Sequence, residues 1–305
     1  MKRIALLGPK EWALGSINYF LEKYLSKYYS VCVFDWAHSS HIKLALGGSF
    51  DAVIAEAHIM SFENIGYRFS SNTAIIPIFH HDVESLNGSH FDQDHSGYIH
   101  NHNTYCITNR VSRSVFNRYG VSSGILPIGV DDLFWDKKEV KRINTIGTVY
   151  SPLAAALNGY EDTKRLWMFD EIRKLSNLDA TIIWGKKFSS GSKIYDGCDL
   201  VICTSKNEGL PTAFLECAAS KIPFISTDVG LVSEFDEVMK FETPEQACAI
   251  IDIFNRNESY LKHYTDTIYK SVIEKLNWEK IIIDYWVNAI EKEIDLASKR
   301  NERLN

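Results

Sequence analysis

Two glutamates, Glu208 and Glu216, stand with seven residues between them around the start of a short apolar helix. The surrounding stretch, residues 199–234, reads DLVICTSKNEGLPTAFLECAASKIPFISTDVGLVSE. Residues 200–203 form an apolar run of the length and composition of a buried strand. A polar loop follows at 204–209. Pro211 sits where a helix would take its first turn, a position that suits proline's fixed φ and missing amide. Phe214, Leu215, Ala218 and Ala219 then recur at helical spacing, and 223–227 gives a second strand. A loop that delivers unpaired amides to a helix N-terminus can hold phosphate. A carboxylate one or two turns further along can accept hydrogen bonds from ribose hydroxyls. The stretch therefore suits a nucleotide diphosphate that carries a sugar. The competing reading is an ordinary βαβ crossover with two solvated glutamates.

The longer pattern, T-S-x-x-E-G-x-P-x-x-x-L-E-x-A-x-x-x-x-P-x-I-x-T-D-V-G-x-x-x-E, resembles the signature of retaining glycosyltransferases of the GT-B fold, family 4 type. The resemblance implies an α/β chain with two Rossmann-like doubly wound domains facing across a cleft. It implies that the nucleotide-sugar donor lies against the second domain. Glu208, the amides of Gly209 and Leu210, and Thr212 would then hold the donor sugar and pyrophosphate, and Glu216 would hold the ribose. The family usually carries an arginine and a lysine after the first strand of the second domain. Here Gly147 is followed by Thr148, so the arginine is absent, and Lys164 stands near the lysine position. Lys186, Lys187 or Lys206 would have to supply the missing charge; Lys164 as an exposed helix-start lysine is the alternative.

Transfer with retention passes through an oxocarbenium-like species while a diphosphate leaves, so fixed amides and a cation are what the chemistry demands. The resemblance implies front-face attack assisted by the donor phosphate, with no protein nucleophile and no metal. His80, His81 and Asp82 follow a strand of the first domain and resemble the family's cleft-facing H-D. They imply a wall opposite the donor, with His81 and Asp82 as catalytic partners of Glu208 and His80 on the acceptor. A pair of turn histidines is the plain reading of the same residues. His90, His95 and His100 with Asp92 and Asp94 match no standard ligand spacing, so this segment reads as an acceptor loop and not a metal site. Gly15 and Ser16 stand where the family has its glycine-rich acceptor loop, with Ser16 as the expected N-cap of the first helix.

Composition sets the wider limits. The 305 residues are 45% hydrophobic and 24% charged, with a net charge of −6. That describes a globular chain long enough for two domains. The acidic balance disfavours nucleic acid as a partner, leaving only a local patch able to serve it. The six cysteines form no C-x-x-C pair and fall mostly in apolar runs, as expected of thiols in the cytoplasm. Tyr19, Lys23, Tyr24, Lys27, Tyr28 and Tyr29 give one helix a basic and aromatic cast. That cast fits a weak peripheral membrane contact or a snorkelling surface helix.

Short apolar segments at 4–7, 31–34, 52–55, 75–79 and 105–108 alternate with helical ones, the pattern of a parallel sheet. The segments at 144–148, 180–184, 200–203 and 223–227 repeat it, with a helix over about 162–175 and a further short strand at 238–241. The expected organisation is an acceptor-binding domain at 1–135, a donor domain at 143–275, and a C-terminal helix at 276–305 crossing back to the first. The helical tail is expected to run from Glu258 to the end. Its Asn277-Trp278 resembles the S-W of the family's last helix. The expected activity is transfer of a sugar from a nucleotide-diphosphate sugar to a hydroxyl of a glycan, lipid-linked glycan or other acceptor. A nucleotide-sugar epimerase of the same fold and a catalytically degenerate sugar-nucleotide-binding protein are the alternatives.

Overall fold

The structure is a computed structural model that describes residues 1–8, 12–35, 38–57, 69, 72–80, 99, 102–150, 163–184 and 188–302. The chain divides into two compact units, Met1–Ile128 with Trp278–Asn305, and Gly129–Asn277.

The first unit opens with β1 (Arg3–Leu7), α1 (Trp12–Leu25), β2 (Ser30–Phe34), α2 (Ser39–Gly47) and β3 (Ala52–Glu56). It continues with β4 (Ala74–Phe79), β5 (Tyr105–Cys106), α3 (Asn109–Tyr119) and β6 (Gly124–Ile125). These strands form one parallel sheet in the order β2-β1-β3-β4-β5-β6. β3 and β4 are buried along their whole length, as strands covered on both faces must be. Thr108 caps α3 by accepting from the Val111 amide at 3.2 Å, and Gly120 closes it in the left-handed conformation.

The second unit contains β7 (Thr145–Tyr150), α4 (Leu166–Ser176), β8 (Asp179–Trp184) and β9 (Leu200–Cys203). α5 (Thr212–Ser220), β10 (Phe224–Ser226), α6 (Pro244–Arg256) and α7 (Glu258–Leu276) follow. Its parallel sheet runs β10-β9-β7-β8. Both sheets are thus α/β and parallel, the architecture of the GT-B fold.

After Asn277 the chain returns to the first unit through α8 (Trp278–Ile281), a π-helical turn (Ile282–Val287) and α9 (Asn288–Glu302). Trp278 and Trp286 are fully buried. Trp278 stacks on Tyr24 and Phe20 of α1, with centroids 6.0 and 6.4 Å apart, and the Trp286 indole donates to the Pro127 carbonyl at 2.9 Å. Large aromatic surfaces with a satisfied polar end make firm anchors. α9 is also held by polar bonds. Glu293, buried, accepts from the Tyr105 hydroxyl at 2.7 Å and the Asn103 amide at 2.8 Å. The Tyr29 hydroxyl bonds to Glu291, and both burial and this bond push the phenol's pKa up.

Four local expectations differ. α1 begins at Trp12, so Ser16 is a buried residue within the helix and not its cap. Burial of Ile17, Phe20, Leu21 and Leu25 outweighs the cost of about 1 kcal/mol that Gly15 imposes inside a helix. The helix expected over 162–175 starts properly only at Leu166, because Arg165 has φ 47° and ψ 50°. Residues 238–241 make a single bridge, Ser226 to Lys240, and no strand. Val238 and Phe241 are buried three apart, a spacing that does not fit the pleat. The helical tail breaks at Asn277, whose extended backbone pairs with Val130 while the Val130 amide bonds to Leu276 O at 2.8 Å.

The Glu293 anchor predicts a specific loss. Glu293→Ala leaves the Tyr105 hydroxyl and Asn103 amide without their buried acceptor and should destabilise the first unit by about 2–3 kcal/mol. Urea unfolding should show that drop, and an unchanged midpoint would mean that the aromatic contacts alone hold the returning helices.

Candidate functional site

The site is built on the loop that follows β9. Its backbone cannot pair within the sheet, so its carbonyls must find other donors. Arg165 donates through Nε to Thr204 O at 2.7 Å and through its terminal nitrogen to Ser205 O at 2.9 Å. Thr227 Oγ1 donates to Ser205 O at 2.5 Å, and the Thr204 hydroxyl donates to Lys164 O at 2.8 Å. The Lys206 amide bonds to Thr163 O at 2.6 Å. The loop is thereby stitched to the turn before α4 on one side and to the end of β10 on the other.

That stitching places charge. Lys164 Nζ donates to Glu208 Oε1, which also accepts from the Ser205 hydroxyl at 2.9 Å. The glutamate side chain is 13% exposed and the lysine 22%, so the ion pair is shielded yet still reachable from solvent. Gly209 follows, buried, and its carbonyl accepts from the Leu231 amide at 3.1 Å. Gly230 has φ +47°, and a Cβ there would lie 2.5 Å from Gly209 O and 2.6 Å from Glu208 O. Only glycine permits both the backbone conformation and that approach. Pro211 is the extended N-cap residue of α5, one position before the expected first turn, so Thr212 opens the helix.

Glu216 lies in the second turn of α5. Its Oε2 accepts from the hydroxyl of Tyr195, a residue with no solvent exposure at the end of the 3-10 segment Phe188–Tyr195. Burial pushes the Glu216 carboxyl up to about 7, and the bond from Tyr195 works in the opposite direction. The two glutamates, both half-buried, therefore face different partners, one an ammonium and the other a phenol.

The remaining sequence-derived residues are placed as follows. Gly147 and Thr148 lie inside β7 and are buried. Gly147 lets Cys198 and Ile183 pack against the strand, since a Cβ there would stand 2.5 Å from Cys198 Sγ. Leu210 and Thr212 are half-buried beside the loop. Lys206 is exposed. In the first unit Gly15 and Ser16 are buried in α1, and His80 is half-buried just past the end of β4. His81, Asp82, Lys186 and Lys187 lie outside the described residues, as do His90, Asp92, Asp94, His95 and His100. Among the described residues no group of three or more His, Cys, Asp or Glu is placed to hold a metal, and no helix is long and apolar enough to cross a membrane. Arg165 and Tyr195 are the residues that sequence reasoning missed. Neither belongs to a periodic pattern, and the only signal for Arg165 is its place next to Lys164.

Residues 154–252, which contain Lys164, Glu208 and Glu216, match the family model of glycosyl transferases group 1. The match spans 99 of the 305 residues and makes that segment similar to the group 1 glycosyl transferases. No curated protein matches the chain by sequence. Among solved structures it is similar to HepE of Anabaena in complex with UDP and glucose. That match has a TM-score of 0.71 at 10% identity and covers 95% of this chain and 99% of that one. Sucrose-phosphate synthase from Thermosynechococcus elongatus matches with a TM-score of 0.72 at 10% identity, covering 97% and 100%. The pneumococcal O-GlcNAc transferase GtfA, in complex with UDP and GlcNAc, matches with a TM-score of 0.58 at 14% identity, covering 84% and 59%. These likenesses establish the GT-B fold of the chain.

Two predictions follow from the site's geometry. Glu216 has a raised folded-state pKa, so between about 4.5 and 7 the folded protein binds more protons than the unfolded one. Stability must fall as pH rises through that window, by about 3 kcal/mol for a shift of this size, and stay level above it. Glu216→Gln carries no such titration, so the difference in unfolding free energy between the two proteins should track pH from 4 to 8. A constant difference would place the carboxylate in water. Gly230→Ala should push the Glu208–Gly209 backbone and destabilise the second unit by about 1–3 kcal/mol, as read by urea unfolding.

Proposed function

We propose that the protein transfers a sugar from a UDP-sugar, with retention of configuration, to a hydroxyl of a glycan or lipid-linked glycan. The observation that carries this reading is the shielded pair of Lys164 and Glu208 in a loop whose next residues open a helix. A diphosphate arriving there meets a cation already fixed beside the amides that open α5, so the charge that develops on the leaving group is met without reorganisation. Glu208, released in part from Lys164, turns its oxygens to the donor sugar together with the amides of Gly209 and Leu210 and the Thr212 hydroxyl. Glu216 accepts from the ribose hydroxyls. HepE and GtfA were each solved with UDP, which supports uridine as the base.

The second unit is the donor unit in this reading and the first unit binds the acceptor, with Gly15, Ser16 and His80 on its side. His81 and Asp82 complete the catalytic set, and Lys186 adds a second positive charge near the phosphates. Gly147 and Thr148 support the donor site from within β7. The leaving phosphate takes the acceptor's proton on the same face of the sugar that it leaves, so no protein nucleophile and no metal enters the step.

Purified protein offered UDP-glucose or UDP-N-acetylglucosamine and a panel of glycan acceptors tests this. Transfer should give a product with the anomeric configuration of the donor by NMR. Lys164→Met should lower kcat by about a hundredfold, the cost of removing one charge stabiliser at a leaving group. An inverted product, or a Lys164→Met enzyme with full kcat, would overturn the reading.

A further inference from the structure

The donor carboxylate Glu216 does not stand alone, and the residues behind it form a connected device within the second unit. Tyr195 ends the 3-10 segment that follows β8, and its hydroxyl donates to Glu216 Oε2. Its carbonyl is held in turn. Lys138 Nζ donates to Tyr195 O at 3.1 Å and to Asp196 Oδ1 at 2.9 Å, and the Cys198 amide donates to Tyr195 O at 3.1 Å. The backbone amide of the same Lys138 donates to Ser220 O at 2.8 Å. Ser220 is the last residue of α5, the helix that carries Glu216 one turn earlier. One lysine thus ties both partners of the phenol–carboxylate pair, through its amide at the helix end and through its ammonium at the tyrosine.

A buried aromatic ring needs no partner on a catalytic carboxylate in order to fill space. What distinguishes Tyr195 is that its only polar side-chain atom is spent on the carboxylate that the proposed function assigns to the ribose. Glu216 is half-buried with Oε2 held by the phenol, and among the described residues no hydrogen bond takes up Oε1, whose lone pairs suit a ligand's hydroxyls.

The geometry points to Tyr195 as a positioning residue for the donor nucleotide, holding Glu216 in the orientation and charge state that a ribose requires, with Lys138 as its anchor. This inference rests on the assignment of Glu216 to the ribose. Among the described residues, the titratable groups acting on the pair and the adjoining thiol are Cys198, Cys217 and Lys138. Burial raises the carboxyl and the phenol's bond lowers it, so loss of the hydroxyl should raise it further.

The test uses the full chain with carbon-13-labelled glutamate, the Glu216 signal being identified by its absence in Glu216→Gln. Tyr195→Phe should move the Glu216 titration midpoint up by roughly one unit, which lowers UDP affinity about fivefold at pH 7 and little at pH 9. The donor KM should follow the same pH dependence, with kcat at saturating donor close to that of the wild type. In the Glu216→Gln background, Tyr195→Phe should cost no further affinity. Lys138→Met, which keeps the amide bond to Ser220 but removes the ammonium, should shift the midpoint in the same direction by less. It serves if Tyr195→Phe does not fold. A midpoint that does not move in either variant overturns the positioning role, whatever happens to activity. A midpoint that moves without any change in UDP affinity leaves the tyrosine–glutamate coupling in place and instead removes Glu216 from the ribose site.

Discussion

The site depends on how the protein satisfies two backbone carbonyls, those of Thr204 and Ser205. They sit just beyond the last hydrogen-bonded residue of β9, where the sheet no longer supplies donors. The Arg165 guanidinium spans both, and its planar fork of donors suits that task better than a flexible ammonium would. Fixing them fixes the direction in which the chain leaves the sheet. Glu208 then falls beside Lys164, whose own carbonyl is tied to the Thr204 side chain. Removing this one guanidinium would take the side-chain donor from Thr204 O and leave Ser205 O to the Thr227 hydroxyl, loosening the loop that carries Glu208.

The two carboxylates that sequence spacing singles out are handled in opposite ways. Glu208 shares one oxygen between an ammonium and a hydroxyl, so its charge is compensated before any ligand arrives. Glu216 lies where ionisation is costly, and among the described residues a phenol offsets it. Separating two like groups by environment lets one fold give them different tasks. A compensated carboxylate can yield its cation to an incoming phosphate. A desolvated one, with a phenol on one oxygen, gains most from donors that reach the other.

The doubly wound architecture and the glutamate pair were legible because both are written in local patterns: apolar runs of strand length, and a strand–loop–helix–strand unit with a fixed interval between two acids. The supporting residues were not. Tyr195 and Arg165 meet their partners from segments with no apolar period. Arg165 does so from a left-handed backbone conformation that ends one turn and lets α4 begin. The start of α1 was misplaced for a related reason, since a serine and a glycine suggest a helix boundary until burial of the neighbouring apolar face is known. The break at Asn277 is a tertiary event as well. Leu276 belongs to the core of one unit and Trp278 to that of the other, and no propensity scale contains that information.

The return of α8 and α9 to the first unit has a consequence for synthesis. Residues 129–277 form one continuous stretch and can complete their fold once they have left the ribosome. The unit that is translated first cannot do so, because Phe20 and Tyr24 await a tryptophan at position 278 and Tyr105 awaits the acid at 293. The order of completion is therefore the reverse of the order of appearance. A nascent parallel sheet, bare along the face of β3 and β4 that α9 will cover, must persist for much of elongation, when such surfaces are most prone to aggregate.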